Sequence, residues 1–497
     1  MKKIYKKCVV ILGTIVMMAS SIYAYEGEMG YFGGSSPGIK LPTLTSLSQS
    51  KPKRISKYVL PYKENIYLSG KAQTVEGTIE VRPGKEMDKE EGSGTYTETY
   101  VIKAQTKDNT TRVSRTISFD TQYTYNSNLR QATKVSTVKK WTENVTTNGQ
   151  TYSVDPTRSS YSKSVLEDYT PGVLYYRGDV EYKAVYVNGE EELTMQVGGP
   201  IYGYSEAFAK TETQKRSITI YDSEGNGYYI EETPTYTVHR DIEYGKNEPD
   251  AISMAGNYKE IIRGEGVINY QILQGAPDLY SDEKHGSVNI QSAPSLEQLI
   301  VPTGLNVKGH PAESHIRKMY GMKVFTGTPA YFSPNKIVTK VEYIKMLVTA
   351  LQIPMIEEEK KSPPSPFSDL SKSSPYYPYA KAAFDAGLVG AGKLSPNSYL
   401  NRETMYTLNV RAIGLQRLGL GTMGAYTPFV DDKQISSWAK APIYAASRLG
   451  IITPNTGYIY PKKVVTYGDC AAFMDQLISY LRYDLQKDYS DKILLGY

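Results

Sequence analysis

The stretch from residue 57 to residue 300 alternates apolar and polar side chains with a period of two. Val113, Ile117 and Tyr123 stand on one side of this alternation, and polar residues fill positions between them. The period is typical of a strand with one buried face. Tyr, Thr, Val and Ile are frequent here, and the chain holds 45 Tyr against 9 Phe. Because these residues favour strands, we predict a mainly antiparallel, sandwich-like β region of one or two domains.

Two hairpins are predicted inside this region. Asn188 and Gly189 separate two alternating segments, and Asn-Gly favours a tight turn between antiparallel strands. A second turn runs from Asp222 to Gly227. It resembles a calcium loop superficially but lacks the alternating acidic ligands and the closing Glu of such loops. A plain turn is the better interpretation.

From about residue 310 the apolar spacing becomes that of amphipathic helices, and a motif recurs three times. In each copy a proline precedes a good helix N-cap by five positions. The proline and cap pairs are Pro334 with Thr339, Pro396 with Asn401, and Pro461 with Thr466. Glu342 and Asp469, three residues after their caps, add capping boxes. Each motif therefore starts a helix.

A further helix precedes each motif and is clearest over 376–387 and 438–450. Gly387 and Gly450 suit the C-terminal ends of these helices. Upstream of them stand Phe367-Ser368-Asp369 and Phe429-Val430-Asp431.

The FxD start, the first helix, the proline turn and a helix start like Thr-Arg-Ala-Glu resemble S-layer-homology repeats. The resemblance covers repeats at 310–356, 367–420 and 427–486, with a Pro-rich charged linker at 357–366 that predicts loose tethering of the first repeat. It implies an all-α pseudo-trimer of helix-loop-helix repeats after the β region. A solenoid-like helical array is the alternative.

The resemblance also implies grooves that bind a secondary cell-wall polysaccharide, typically pyruvylated, through the motif arginine. That position holds Lys340, Arg402 and Tyr467 in the three repeats, and Trp438 keeps the tryptophan of the family. A guanidinium matches a carboxylate in two places, and free N–H groups at a helix start would add to the attraction. The alternatives are solvated cations and, for Trp438, core packing. The predicted glycan-binding residues are Lys340, Arg402, Trp438, Thr339, Asn401, Thr466 and Tyr467.

The N-terminus predicts a signal peptide over 1–24, followed by a low-complexity linker over 25–56. Four lysines precede an apolar run from Cys8 to about Met18, and small residues lead to Ala24. This run is too short for a spanning helix, and no later segment is long and apolar enough, so we predict no membrane span. After cleavage only Cys470 remains, as a buried thiol on an apolar helix face.

Charge and motifs limit the functions open to the chain. Removing four lysines from the 57 basic residues leaves 53 against 52 acidic ones, so no nucleic-acid partner is expected. The four histidines fall in no catalytic or metal motif, and we predict no catalytic, cofactor or metal site. The predicted function is a secreted, wall-anchored surface protein, not an enzyme. Its β region would be a surface-layer component that associates with itself, or an adhesin; an anchored wall-acting glycoside hydrolase is the alternative.

Overall fold

The structure is a computed structural model. The predicted signal peptide and most of the linker at 357–366 lie outside the residues it describes. Those residues are 33–36, 41, 44, 57–83, 92–245, 256–274, 280–355, 364–422, 426–452 and 457–490.

The N-terminal part is a single 15-stranded sheet in which each strand pairing is antiparallel. β-branched residues and tyrosines alternate along its strands, as the period-two pattern requires. The strands are β1 (Tyr58–Ile66), β2 (Gln73–Arg82), β3 (Gly92–Gln105), β4 (Thr111–Asn126), β5 (Gln131–Thr147), β6 (Gln150–Val154), β7 (Ser160–Tyr169), β8 (Val173–Asn188), β9 (Glu191–Glu206), β10 (Ala209–Gln214), β11 (Arg216–Asp222), β12 (Gly227–Tyr244), β13 (Tyr258–Gln274), β14 (His285–Gln291) and β15 (Ser295–Leu299).

The sheet curls so that the segment just after β1 approaches β12 and β13. Tyr67, just after β1, donates to Glu232 Oε1 of β12 at 2.8 Å, and its ring centroid lies 6.1 Å from that of Tyr270 in β13. The prediction of a β-rich, antiparallel region is confirmed. The described strands of this region belong to one continuous sheet.

Both predicted hairpins are present. β8 and β9 pair from Asn188 and Glu191 outward, and Gly189 adopts a φ of 62° in the turn. β11 and β12 pair around the second turn, where the N–H groups of Glu224 and Asn226 donate to Asp222 Oδ1 at 2.9 Å. The Asp222 carboxylate is therefore used by the turn itself.

Part of the predicted N-terminal linker packs into the β region. Ser35 exchanges backbone hydrogen bonds with Lys63 of β1, and the side chains of Ser35 and Ser36 are fully buried. Leu41 joins an apolar cluster with residues of β12, β13 and β14. These described residues of the predicted 25–56 linker thus pack against the sheet.

The C-terminal part is helical, as predicted. Thr339, Asn401 and Thr466 are the N-caps of α2, α4 and α6, and the first and last have complete capping boxes. The predicted helices at 376–387 and 438–450 are α3 and α5. The helices are α1 (Glu313–Gly321), α2 (Lys340–Ala350), α3 (Tyr377–Asp385), α4 (Arg402–Ala412), α5 (Ser437–Arg448), α6 (Tyr467–Ser479) and α7 (Leu485–Asp488), with a π-helical turn at Tyr480–Asp484 between the last two.

The first helix of each predicted repeat packs on the second helix of another. α3 contacts α2, α5 contacts α4, and α1 contacts α6, so the order closes on itself. Val338, Leu400 and Val465, one from each repeat, share a single buried apolar cluster. The prediction that the first repeat is loosely tethered is therefore wrong, since the repeat supplies one part of this core.

The β region covers the C-terminal ends of the helices. The Gly172 N–H donates to Ala412 O at 2.7 Å and the Tyr175 hydroxyl to Ile413 O at 2.9 Å, so two carbonyls that α4 leaves free at its end are satisfied. Arg130 similarly donates to Asp385 O at the end of α3. The apolar cluster of the helices extends into the sheet at Tyr175, Tyr204, Phe208, Ile242, Tyr258 and Leu299.

Candidate carbohydrate-binding site

The three motif loops meet in a closed ring of backbone hydrogen bonds. The N–H of Leu400 donates to Val338 O, that of Val338 to Val465 O, and that of Val465 to Leu400 O, at 2.9 to 3.0 Å. Each of these residues immediately precedes a helix N-cap. The ring therefore brings the starts of α2, α4 and α6 together at one end of the helical part.

The first backbone N–H groups of the three helices are already used. Those of Lys340, Arg402 and Tyr467 donate to carbonyls of a neighbouring repeat at 2.9 to 3.0 Å, and the next N–H in each helix donates to the carbonyl of that neighbour's motif proline. The third N–H of each helix donates to the side chain of its own N-cap residue. The expectation that free N–H groups would attract an anion is wrong, so charge recognition here depends on side chains.

The aspartate of each FxD sequence holds the proline turn that faces a helix start. Asp369 accepts from the N–H groups of Leu394 and Ser395, both at 2.8 Å. Asp431 accepts from Ile459 at 3.3 Å and Tyr460 at 2.8 Å. Burial alone would raise the pKa of Asp369, but these N–H groups leave it below its usual value. The Asp369 carboxylate thus stays charged, and both aspartates fix their turns through these hydrogen bonds.

Arg402 lies in the groove between the second and third repeats. Its Nη1 donates to Ile459 O at 3.2 Å, and its guanidinium lies 5.6 Å from the ring centroid of Phe473. The nearest carboxylate oxygen, Asp469 Oδ1, is 4.0 Å from Nη2. Nε is buried and has no hydrogen-bond partner among the described residues. The guanidinium is held in place, and the N–H donors of Nη2 remain available for an anion.

Lys340 takes the equivalent place between the first and second repeats. Its Nζ donates to Leu394 O at 2.9 Å, as Arg402 does to Ile459 O. Burial lowers the pKa of Lys340, Asp369 opposes this shift, and Arg411 adds to it. This ammonium therefore loses its charge more readily than a guanidinium and cannot pair with a carboxylate in two places.

Tyr467 closes the third equivalent place. Its hydroxyl donates to Glu342 Oε1 at 3.0 Å, its ring packs edge-on against Phe325 and Phe332, and Lys336 Nζ lies 5.3 Å from the ring centroid. Burial raises the pKa of Tyr467, and the neighbouring Glu342 raises it further. A neutral phenol fills the position where the other two repeats present a cation.

The other predicted site residues divide into two groups. The side chains of Thr339, Asn401 and Thr466 are engaged in helix caps, so their contact with a glycan stays a prediction. Trp438 is 48% exposed and therefore does not belong to the core. Ser436, two residues earlier, contacts the carboxylate of Glu403 at 3.0 Å, which places the start of α5 beside the start of α4 and its Arg402.

Sequence reasoning missed several residues around these grooves. Asp369 and Asp431 could be recognised in the sequence as parts of FxD motifs. The sequence did not indicate that they hold the turns. Lys336 adds a cation beside Tyr467, and Tyr458 and Tyr460 flank the carbonyl that Arg402 contacts. Only the alignment of the three proline motifs could have indicated them.

Other expectations concern chemistry away from the grooves. Cys470 is fully buried, and burial raises the pKa of its thiol, as expected for an inert core cysteine. The described part of the chain contains no cluster of three His, Cys, Asp or Glu side chains suited to a metal ion. Among the helices described, none has the length and apolarity needed to cross a membrane.

Comparisons with known proteins agree with the helical part. The S-layer homology domain family matches residues 307–344 and 428–471. An exoglucanase, XynX, of Acetivibrio thermocellus is 32% identical over 178 residues, which are 35% of this chain and 16% of that protein. An amylopullulanase of Thermoanaerobacterium thermosulfurigenes is also 32% identical over 178 residues, 35% of this chain and 9% of that protein.

An endoglucanase of Bacillus sp. (strain KSM-635) is 30% identical over 169 residues, 33% of this chain and 17% of that protein. The chain thus spans less than a fifth of the length of these relatives. The matches involve the S-layer homology region and its neighbourhood, and proteins with such domains are anchored at the cell surface. This chain is a cell-surface protein that carries S-layer homology domains, matched at residues 307–344 and 428–471.

Proposed function

We propose that the protein is held on the cell wall by non-covalent binding of an acidic secondary cell-wall polysaccharide, of the pyruvylated type, in the grooves at the starts of α2 and α4. The proposal rests mainly on the guanidinium of Arg402. It is fixed by the Ile459 carbonyl at 3.2 Å, and Asp469 Oδ1, at 4.0 Å, is too distant for a hydrogen bond. A carboxylate of a glycan can therefore bind the remaining donors.

We further propose that residues 367–420 are a third, diverged repeat and that the three form a pseudo-threefold unit. The family match leaves this segment uncovered. Support comes from Leu400 and Arg402, whose backbone N–H groups make the same hydrogen bonds as the corresponding groups of the other two repeats. Divergence of the side chains, such as Asn401 in place of Thr, weakens the sequence signal and leaves the backbone framework intact.

The grooves are not equal in this proposal. The groove with Arg402 binds most strongly, the groove with Lys340 less, and the position of Tyr467 offers no cation in the motif helix. Two sites that bind the same polymer still prolong attachment to the wall even if each is weak. Binding at one site raises the local concentration of the glycan at the other.

The β region, on this proposal, is carried on the side of the helices away from the wall. It contacts the C-terminal ends of the helices, whereas the grooves lie at their N-terminal ends, about 16 Å away for an 11-residue helix. We favour a structural or adhesive surface role for it. The glucanase and amylopullulanase names describe proteins of which the matched segments are a small part, so they do not carry hydrolysis to this chain.

The test is sedimentation of the full secreted chain with purified cell-wall sacculi, before and after chemical removal of the secondary polysaccharide. The full chain is used because the helical part shares its apolar cluster with the β region. Binding should depend on the polysaccharide and fall about tenfold or more in Arg402→Ala, with a smaller loss in Lys340→Ala.

Arg417→Ala is the matched control, since Arg417 is an exposed arginine beyond the other end of α4. It should bind as the unchanged chain does. Equal binding to stripped and intact sacculi, or equal losses in Arg402→Ala and Arg417→Ala, would contradict the proposal.

A further inference from the structure

We propose that Tyr458 and Tyr460 form a sugar-stacking platform beside Arg402. This inference rests on the proposed wall binding and adds an aromatic contact to its strongest groove. The two rings lie with centroids 5.6 Å apart and planes 20° apart, and they are 37% and 50% exposed. They are an aromatic pair open to solvent rather than part of the core.

The pair is attached directly to the arginine site. Tyr458 and Tyr460 flank Ile459, whose carbonyl accepts the hydrogen bond from Arg402 Nη1. The backbone of this turn is held in place, because the buried carboxylate of Asp431 accepts hydrogen bonds from the N–H groups of Ile459 and Tyr460. A cation from the start of α4 and an aromatic pair on the turn it contacts therefore meet at a fixed stretch of backbone, which preorganises a binding site.

The backbone of the turn does not require a tyrosine. Tyr460 has a φ of 51°, in the left-handed region that non-glycine residues seldom adopt. Ser395 stands at the same place in the second repeat, with a φ of 56° and the same kind of contact to Asp369. Because serine satisfies the same conformation, the ring of Tyr460 is not needed for the turn and is free for another role.

The third groove lacks this combination. Tyr331 and Ser333 stand at the places of Tyr458 and Tyr460 in the first repeat, so no stacked pair exists at that turn, and Tyr467 replaces the arginine. Within the described residues, an exposed tyrosine pair and a motif arginine coincide at the α4 groove alone.

The ligand class follows from these two surfaces. The apolar C–H face of a pyranose covers an aromatic ring, while the phenol hydroxyl remains wet and able to hydrogen-bond sugar hydroxyls. The guanidinium pairs with a carboxylate. A sugar with an acidic substituent, such as a pyruvate ketal, supplies both contacts within one residue. A neutral sugar would stack on the two tyrosines but would leave the guanidinium of Arg402 without an anion.

The experiment measures the affinity of the full chain for solubilised wall polysaccharide by titration calorimetry, with sedimentation on sacculi as a second readout. Tyr460→Ser introduces the residue that the second repeat uses, so the turn should be retained. We expect binding to weaken about tenfold in Tyr460→Ser and in Tyr458→Ala. Tyr460→Phe keeps the ring and should keep most of the affinity.

Tyr331→Ala is the matched control, because Tyr331 is 89% exposed at the equivalent place of the groove that lacks an arginine. It should bind as the unchanged chain does. Polysaccharide from which the acidic substituent has been removed should bind weakly, and Tyr460→Ser should reduce that residual binding further.

The outcomes separate the two proposals. If Arg402→Ala loses binding while Tyr458→Ala and Tyr460→Ser bind normally, the platform is refuted and wall anchoring stands. If the unchanged chain does not bind the polysaccharide, anchoring itself fails. A loss in Tyr460→Ser that Tyr460→Phe does not recover would also overturn the stacking role, since it would assign the effect to the hydroxyl.

Discussion

The two ends of the helical part differ although the same helices build them. At the N-terminal end, the starts of α2, α4 and α6 surround a ring of backbone hydrogen bonds and present charged and aromatic side chains to solvent. At the C-terminal end, the carbonyls of α3 and α4 receive hydrogen bonds from the β region, and the apolar core continues into the sheet. One end is left open and the other is covered.

This difference separates stability from binding. Substitutions at the covered end disturb close packing between two parts of the chain and should strongly lower the free energy of unfolding. Substitutions at the open end change which anion or sugar can bind and should leave the fold nearly intact. The predictions below test that separation, ordered by their expected effect on the free energy of unfolding.

The largest effect is expected from Gly414→Ala at the covered end. Gly414 has a φ of 71°, and a Cβ there would lie 2.1 Å from Thr170 Cγ2 of the β region. Left-handed strain and overpacking together should lower the free energy of unfolding by about 3–4 kcal/mol. Gly450→Ala is the control, because Gly450 has a φ of 69° but open space around it, and it should cost about 1 kcal/mol. Denaturant unfolding of both variants measures the difference, and equal losses would refute the tight contact.

Glu206 makes the covered end sensitive to pH. Its side chain is fully buried, Oε2 accepts from the Phe208 N–H at 2.7 Å, and Oε1 has no hydrogen-bond partner in the described part of the chain. Burial raises the pKa of Glu206 to about 8, while the Phe208 N–H, Arg240 and Arg482 oppose the shift.

The folded state therefore keeps this proton while the unfolded chain loses it near the usual pKa of 4.5. Stability from Glu206 is complete below pH 4.5, falls as pH rises, and is lost above about pH 8. Glu206→Gln should match the unchanged chain at low pH and exceed it by about 2–4 kcal/mol at high pH, measured by denaturant unfolding across pH. A gap that does not vary with pH would contradict this assignment.

An intermediate effect is expected from Asp431→Ala at the open end. The substitution removes both hydrogen bonds to the turn and leaves the left-handed Tyr460 without support. The free energy of unfolding should fall by about 2 kcal/mol, and wall binding should weaken because the turn carries the Ile459 carbonyl. Asp369→Ala is the comparison, with a similar loss of stability and less effect on binding. Thermal unfolding and sedimentation on sacculi distinguish the two.

The smallest effect on stability is expected from Arg402→Ala, which nevertheless should reduce wall binding most. The side chain makes one hydrogen bond to a backbone carbonyl and is not part of the apolar core. Its removal should change the free energy of unfolding by less than about 1 kcal/mol. Calorimetric unfolding beside the binding assay would show the separation, and a loss of several kcal/mol would show that Arg402 is structural.

Local chemistry made much of the helical part predictable. Thr339, Asn401 and Thr466 cap helices because each side chain reaches a backbone N–H three residues away, and such short-range contacts can be read from the order of residues. The hairpin at Gly189 was predictable for the same reason, since a two-residue turn depends on its own conformational preferences. The antiparallel β region followed from its alternation.

The remaining features depended on contacts between distant parts of the chain. Sequence alone predicted the repeats, their caps, the β-rich region and Arg402 as a candidate cation. Only the tertiary structure determined that Arg402 faces the Ile459 carbonyl, that the helix N–H groups are already used, that residues such as Ser35 are buried, and that the β region covers the far ends of the helices. The physical reason is that caps and turns are satisfied within a few residues, whereas packing and groove composition depend on which surfaces the folded chain brings together.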